Sequence, residues 1–221
     1  MTQELGKIDK PSSESFRGKR KLMLIPWLYQ PPEDAVEGRE IIGRYWKEVS
    51  IQVDSLENGL GSVNHIFHET LTSSGDEALE YLDSVSPQCG EFVRRKIADG
   101  AVLETTEDQD IFNETMDLQR CIMIPLQSHK VADQLRNWFD DGVHRRYEFI
   151  SRKIDELMGS SEVGLLVINE RHQVQFPSDV EVFYVAPPSL DEFRRWIERW
   201  ISEKMASVSG GQTSAESEIK D

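Results

Sequence analysis

Val163-Gly-Leu-Leu-Val-Ile-Asn169 is an almost unbroken apolar run. A strand of this kind is apolar on both sides. It needs cover on both, which globular proteins provide by packing helices on the two faces of a sheet. The chain must therefore supply a sheet and the amphipathic helices to cover it.

The remaining segments read accordingly. Lys21 to Leu28 is a second apolar run and reads as a buried strand. Pro26 places it at a sheet edge or a bulge, because proline has no N–H for the ladder. Between about 35 and 58, Ile41, Ile42, Tyr45, Trp46, Val49, Val53 and Leu56 recur at steps of three and four, one helical face. Ser62 to Leu71 reads as a strand, with His65 and Glu69 on one side and His68 on the other. Two short helices, Asp76 to Val85 and Gln88 to Ala98, precede a short strand at Ala101 to Glu104. Glu107 to Ile124 reads as a helix that Pro125 stops. Ser128 can cap a long helix reaching about Met158, with Val131, Leu135, Trp138, Phe139, Tyr147, Ile150, Ile154 and Leu157 as its apolar stripe. After the Val163 run, His172 to Phe176 alternates and is expected to pair back as a hairpin, and Val180 to Ala186 is the last strand. Ser189-Leu-Asp-Glu192 is a capping box that opens an amphipathic C-terminal helix.

This order predicts a mixed α/β fold: a central five- to six-stranded mixed sheet packed with helices, a C-terminal hairpin and a final amphipathic helix. One domain, 19–205, is expected between polar tails at 1–18 and 206–221 whose composition cannot offset ordering entropy.

Charge and apolar length exclude some partners. The net charge is −15, which repels nucleic acid and anionic lipid unless basic groups gather on one face. The basic clusters Arg17 to Lys21, Arg94 to Lys96, Arg145-Arg146 and Arg194-Arg195 are short and mostly have acidic neighbours, so nucleic acid is not an expected partner. No apolar run approaches the roughly 20 residues that cross a bilayer, and Met1 to Lys10 lacks the apolar centre of a secretory signal. Cys89 and Cys121 read as buried free thiols of a reducing compartment, which points to the cytoplasm.

Four groups of residues can carry chemistry or contact. His65-Ile-Phe-His68-Glu69 is the first: on a strand, His65 and Glu69 share a face and can form an acid–base pair. Glu107, Asp110, Glu114 and Asp117 recur at steps of three and four, which lines four carboxylates on one helix face. That is a donor set for a divalent cation, and equally an ordinary solvated face. Arg145 and Arg146 suit an anion or local ion pairs with residues such as Asp141. Trp200, between Arg199 and Lys204, is a partner anchor if exposed and a core residue if not. No Gly-x-Ser-x-Gly, Walker or Rossmann pattern occurs, so no cofactor is named by motif.

Two readings follow. The first is an intracellular protein-interaction module, binding a protein partner or a second copy of itself through the last helix. The second is a small hydrolase or metal-assisted enzyme using His65 and Glu69 with Glu104 and the helix carboxylates up to Asp117. It requires those groups to converge.

Overall fold

A computed structural model describes residues 18–215, with side chains described for 18–206. Of the expected tails at 1–18 and 206–221, residues 1–17 and 216–221 lie outside the described residues, while 206–215 belong to the last helix. The elements are β1 (Arg20–Pro26), α1 (Val36–Leu60), β2 (His65–His68), α2 (Gly75–Val85), α3 (Pro87–Ala98), β3 (Val102–Leu103), α4 (Gln109–Ile122), α5 (His129–Leu157), β4 (Val163–Ile168), β5 (Val180–Tyr184) and α6 (Pro188–Ala215). No helix among the described residues is long and apolar enough to cross a membrane.

The five strands form one sheet in the order β3-β2-β4-β1-β5. Every pairing is parallel. The expected mixed sheet is corrected on this point, and the expected hairpin is absent. His172 to Phe176 is not a strand. Its alternation arises because Val174 and Phe176 pack against Leu22, Leu24 and Ile150, laying the segment over the sheet. The chain thus returns to start β5 in the same direction as β4, beyond β1.

β1 is not an edge strand either, since β4 and β5 flank it. Along β1, the N–H groups of Lys21 and Trp27 donate toward β4, and the carbonyl of Leu24 accepts from Val185 on the β5 side. Alternation puts the missing N–H of Pro26 on the β5 side, just past the last pair, Leu24 with Tyr184. The ladder ends there instead of being broken.

The two faces of the sheet have separate cores. Met23, Ile25, Ile66, Leu165 and Val167 pack with α1, α3 and α6. Leu22, Leu24, Phe67, Leu166 and Ile168 pack with Ile150 and Ile154 of α5. α1 and α6 approach closely at Gly38, where an added Cβ would lie 2.3 Å from the Trp196 ring. Gly38→Ala is expected to cost about 1–3 kcal/mol through overpacking, seen as a lower urea midpoint. An unchanged midpoint would mean that α6 does not dock on α1 as described.

The stripe expected along α5 is fully buried only near its C-terminal end, while Leu135 and Phe139 in its first half are half-buried. Ile150 and Ile154 are buried, whereas Val131 and Trp138 are exposed. Cys89 is buried as expected, but Cys121 is exposed. Asp108 caps α4 by accepting from the N–H groups of Asp110 and Ile111. Glu107 therefore precedes the helix instead of sharing its first turn.

Candidate functional site

In a parallel sheet all strands end on one edge. Here β1 leads to α1 on one face, while β4 leads to the segment over the other face. Adjacent strands that diverge in this way open a crevice beyond their carboxyl ends, the usual ligand position in open α/β sheets. The residues delivered to that edge are Trp27 and Tyr29 after β1, His68 and Glu69 at the end of β2, Glu107 after β3 and Asn169 after β4. α5 adds Arg146 and Tyr147.

Glu69 is 4 % exposed, and its Oε1 has no hydrogen-bond partner within the protein. Burial pushes its pKa up to about 7, against the opposing effects of the Asn169 N–H and the Arg146 charge. Tyr29 and Tyr147 lie close enough to feel that carboxylate. Although Tyr29 is exposed as a residue, desolvation at its hydroxyl and the Glu69 charge push the phenol up to about 12, and the same two causes raise Tyr147.

Beside Glu69 stands a forked ion pair. Arg146 Nε donates to Glu107 Oε2 at 3.0 Å and Nη2 donates to Oε1. The Glu107 side chain is fully buried, and the guanidinium also lies 5.0 Å from the centre of the Phe112 ring. The backbone bends sharply at this point. Thr70, with φ of +90°, occupies a region that non-glycine residues rarely adopt, and its N–H reaches Glu107 Oε1 at 3.4 Å.

His68 points to the opposite face from Glu69. Its Nδ1–H donates to the Glu69 carbonyl. Burial lowers its pKa to about 4, so at neutral pH the ring is uncharged and Nε2 carries a bare lone pair. That Nε2 and the N–H of Trp27, whose ring meets the imidazole edge-on at 4.5 Å, both lack a protein partner. Such orphaned buried groups are uncommon.

The sequence candidates divide between several places. Glu69, Glu107 and Arg146 meet at the carboxyl edge. His65 does not join them, because Phe67 intervenes on the same face and His65 stands about 13 Å back along the strand. Instead its ring lies between Glu104, 2.8 Å from Nδ1, and Glu162, 3.1 Å from Nε2. Glu114 pairs with Arg145 at 2.9 Å, Asp117 pairs with Arg120 at 2.8 Å, and Asp110 is exposed. Among the described residues no three His, Cys, Asp or Glu groups are placed to hold a metal ion. Trp200 is half-buried, stacked 5.9 Å from Trp196.

Tyr29, Tyr147 and Asn169 were not found by motif. Tyr29 and Asn169 follow strands, and only the order β2-β4-β1 makes them neighbours of Glu69. Comparison with known proteins adds no relative: no family model, curated protein or solved structure matches this chain.

Proposed function

We propose that the carboxyl edge is a general-base hydrolytic site for a small polar substrate, with Glu69 as the group that takes and returns the proton. The observation that carries this reading is a buried carboxyl with an unpartnered oxygen, sitting where adjacent parallel strands diverge. A pKa near 7 leaves such a group about equally able to accept and to donate a proton at neutral pH. Tyr29 and Tyr147 lie within reach of its charge, and the Arg146–Glu107 pair fixes the field around it without adding net charge. The unpaired thiols of Cys89 and Cys121 support a cytoplasmic setting.

The test is a panel of ester, phosphoester and amide substrates with wild type and Glu69→Gln. Hydrolysis is expected to rise through an apparent pKa near 7 and to fall by about 10²–10⁴-fold in the variant. Equal rates in the two proteins would overturn the assignment, as would an ordinary titration of Glu69 followed by carbon NMR.

A second reading, a protein-interaction module, is favoured by a separate observation. Met123, Ile124 and Trp138 are exposed by 78 %, 60 % and 54 % on the outer half of the α4–α5 pair.

A further inference from the structure

α1 and α3 lie on the same face of the sheet. On α1, Gly43, Trp46, Lys47 and Ser50 recur at steps of three, one and three, which sets them on one side of the helix. Gln88, Glu91, Phe92 and Arg95 repeat those steps on α3. The two stripes line a cavity of about 620 Å³. It stays open because α1 has little to fill it. Gly43 carries no side chain, and a Cβ built there would meet nothing within 4 Å. Ser50 is short.

The buried wall of the cavity is aromatic. Trp46 and Phe92 are 3 % and 5 % exposed, with ring centres 5.6 Å apart. The indole N–H of Trp46 has no partner in the protein. Arg95 closes one end, bonded to Asp54 at 3.0 Å and lying 5.9 Å from the centre of the Phe92 ring. At the other end Gln88 Oε1 accepts from Gln30 at 2.8 Å, which leaves the Gln88 amide N–H groups as donors.

Charge indicates what such a cavity takes. Lys47 and Glu91 line it from opposite helices, and neither makes a hydrogen bond or ion pair among the described residues. Arg44, Arg94, Arg95 and Lys96 on the same two helices are all paired with carboxylates. An ammonium and a carboxylate that share a cavity without pairing suit a ligand offering the opposite charge to each. An uncharged ring would leave both without a partner. A polyphosphate would meet Glu91 and a net charge of −15.

We propose that this cavity binds a small zwitterion carrying a planar ring, with the ring against Trp46 and Phe92, a carboxylate on Lys47 and an ammonium on Glu91. Free aromatic amino acids are the simplest members of that class. The site belongs to α1 and α3 and does not rest on the hydrolytic reading of the carboxyl edge.

The experiment is calorimetric titration of the full chain with L-phenylalanine and L-tryptophan. Both are expected to bind. L-Alanine, hydrocinnamate and phenethylamine lack the ring, the ammonium and the carboxylate in turn, and each is expected to bind at least about tenfold more weakly. Gly43→Leu is expected to remove binding with helicity kept, since the new side chain enters open space. Lys47→Met alters only an exposed residue and is expected to weaken L-phenylalanine by about tenfold while leaving phenethylamine unchanged. Glu69→Gln is expected to bind like wild type, which separates this proposal from the hydrolytic one. Absence of heat with both amino acids up to their solubility limits overturns the proposal. So does a truncated probe that binds as tightly as L-phenylalanine, or undiminished binding by Gly43→Leu or Lys47→Met.

Discussion

Arg146→Met is expected to lower the unfolding free energy by about 3–5 kcal/mol near neutral pH. Methionine keeps most of the apolar stem but removes the one cation that, among the described residues, is bonded to Glu107. The Glu107 side chain has no solvent exposure, so its charge would be left with little more than the long bond from the Thr70 N–H. The cost is that of an uncompensated buried carboxylate, or of the proton needed to neutralise it. Adding Glu107→Leu should recover most of the loss, because replacing both members of a buried pair by apolar groups is close to neutral. The double-mutant cycle in urea therefore separates the pair from the packing around it. A single-variant loss below about 1 kcal/mol would mean that water reaches Glu107, since solvated pairs contribute no more than that. The single variant has a second effect. Arg146 holds the Glu69 pKa down and Glu107 pushes it up, so removing the cation alone should move the rise of the hydrolytic rate to higher pH.

The helices were legible in the sequence because their apolar residues recur with the helical period, and Ser128 caps α5 as expected. Strand order was not legible, because it depends on which strands meet after the helices have packed. His172 to Phe176 shows the difficulty. Alternation records only that one side faces a core, and a loop laid over a sheet has the same need as a hairpin strand. Pro26 is similar: a missing N–H excludes a donating position, yet Pro26 still pairs with Ile168 of β4, because its nitrogen faces β5 just past the end of that ladder. The stripe on the first half of α5 was visible, but only Leu135 and Phe139 are partly covered there, and Val131 and Trp138 stay exposed. At the site, Glu69 and Glu107 stood out as carboxyls, while Arg146 stood out for its neighbour Arg145. The Arg146–Glu107 pair joins residues 39 apart and forms only when α5 folds back over β2. His65 and Glu104 do come together, but not beside Glu69, because their side chains lie toward the start of β2 and not at its end.

Glu69→Gln is expected to replace a flat stretch of the stability–pH profile with one that falls toward acid by about 3 kcal/mol. Glu69 has its pKa raised from 4.5 to about 7, so between those values the unfolded chain loses a proton that the folded chain keeps. Its contribution is full below pH 4.5 and is lost as pH rises to about 7. His68 has its pKa lowered from 6.5 to about 4, so between those values the unfolded chain gains a proton that the folded chain refuses. Its contribution is full above pH 6.5 and is lost as pH falls to about 4. From 4.5 to 6.5 the two slopes oppose each other, and the folded and unfolded chains bind the same number of protons at this pair of residues. Glutamine removes one slope and leaves the other, about 1.4 kcal/mol per pH unit. His68→Leu should leave the opposite slope, with stability rising as pH falls from about 7 to 4.5. Urea titrations at successive pH values measure both, and subtracting the wild-type curve cancels the carboxylates common to all three proteins. A Glu69→Gln curve that runs parallel to wild type across this window would show that Glu69 ionises at its ordinary pH. The orphaned oxygen would then belong to a plain carboxylate, and the carboxyl edge would have no group able to take and return a proton near neutrality.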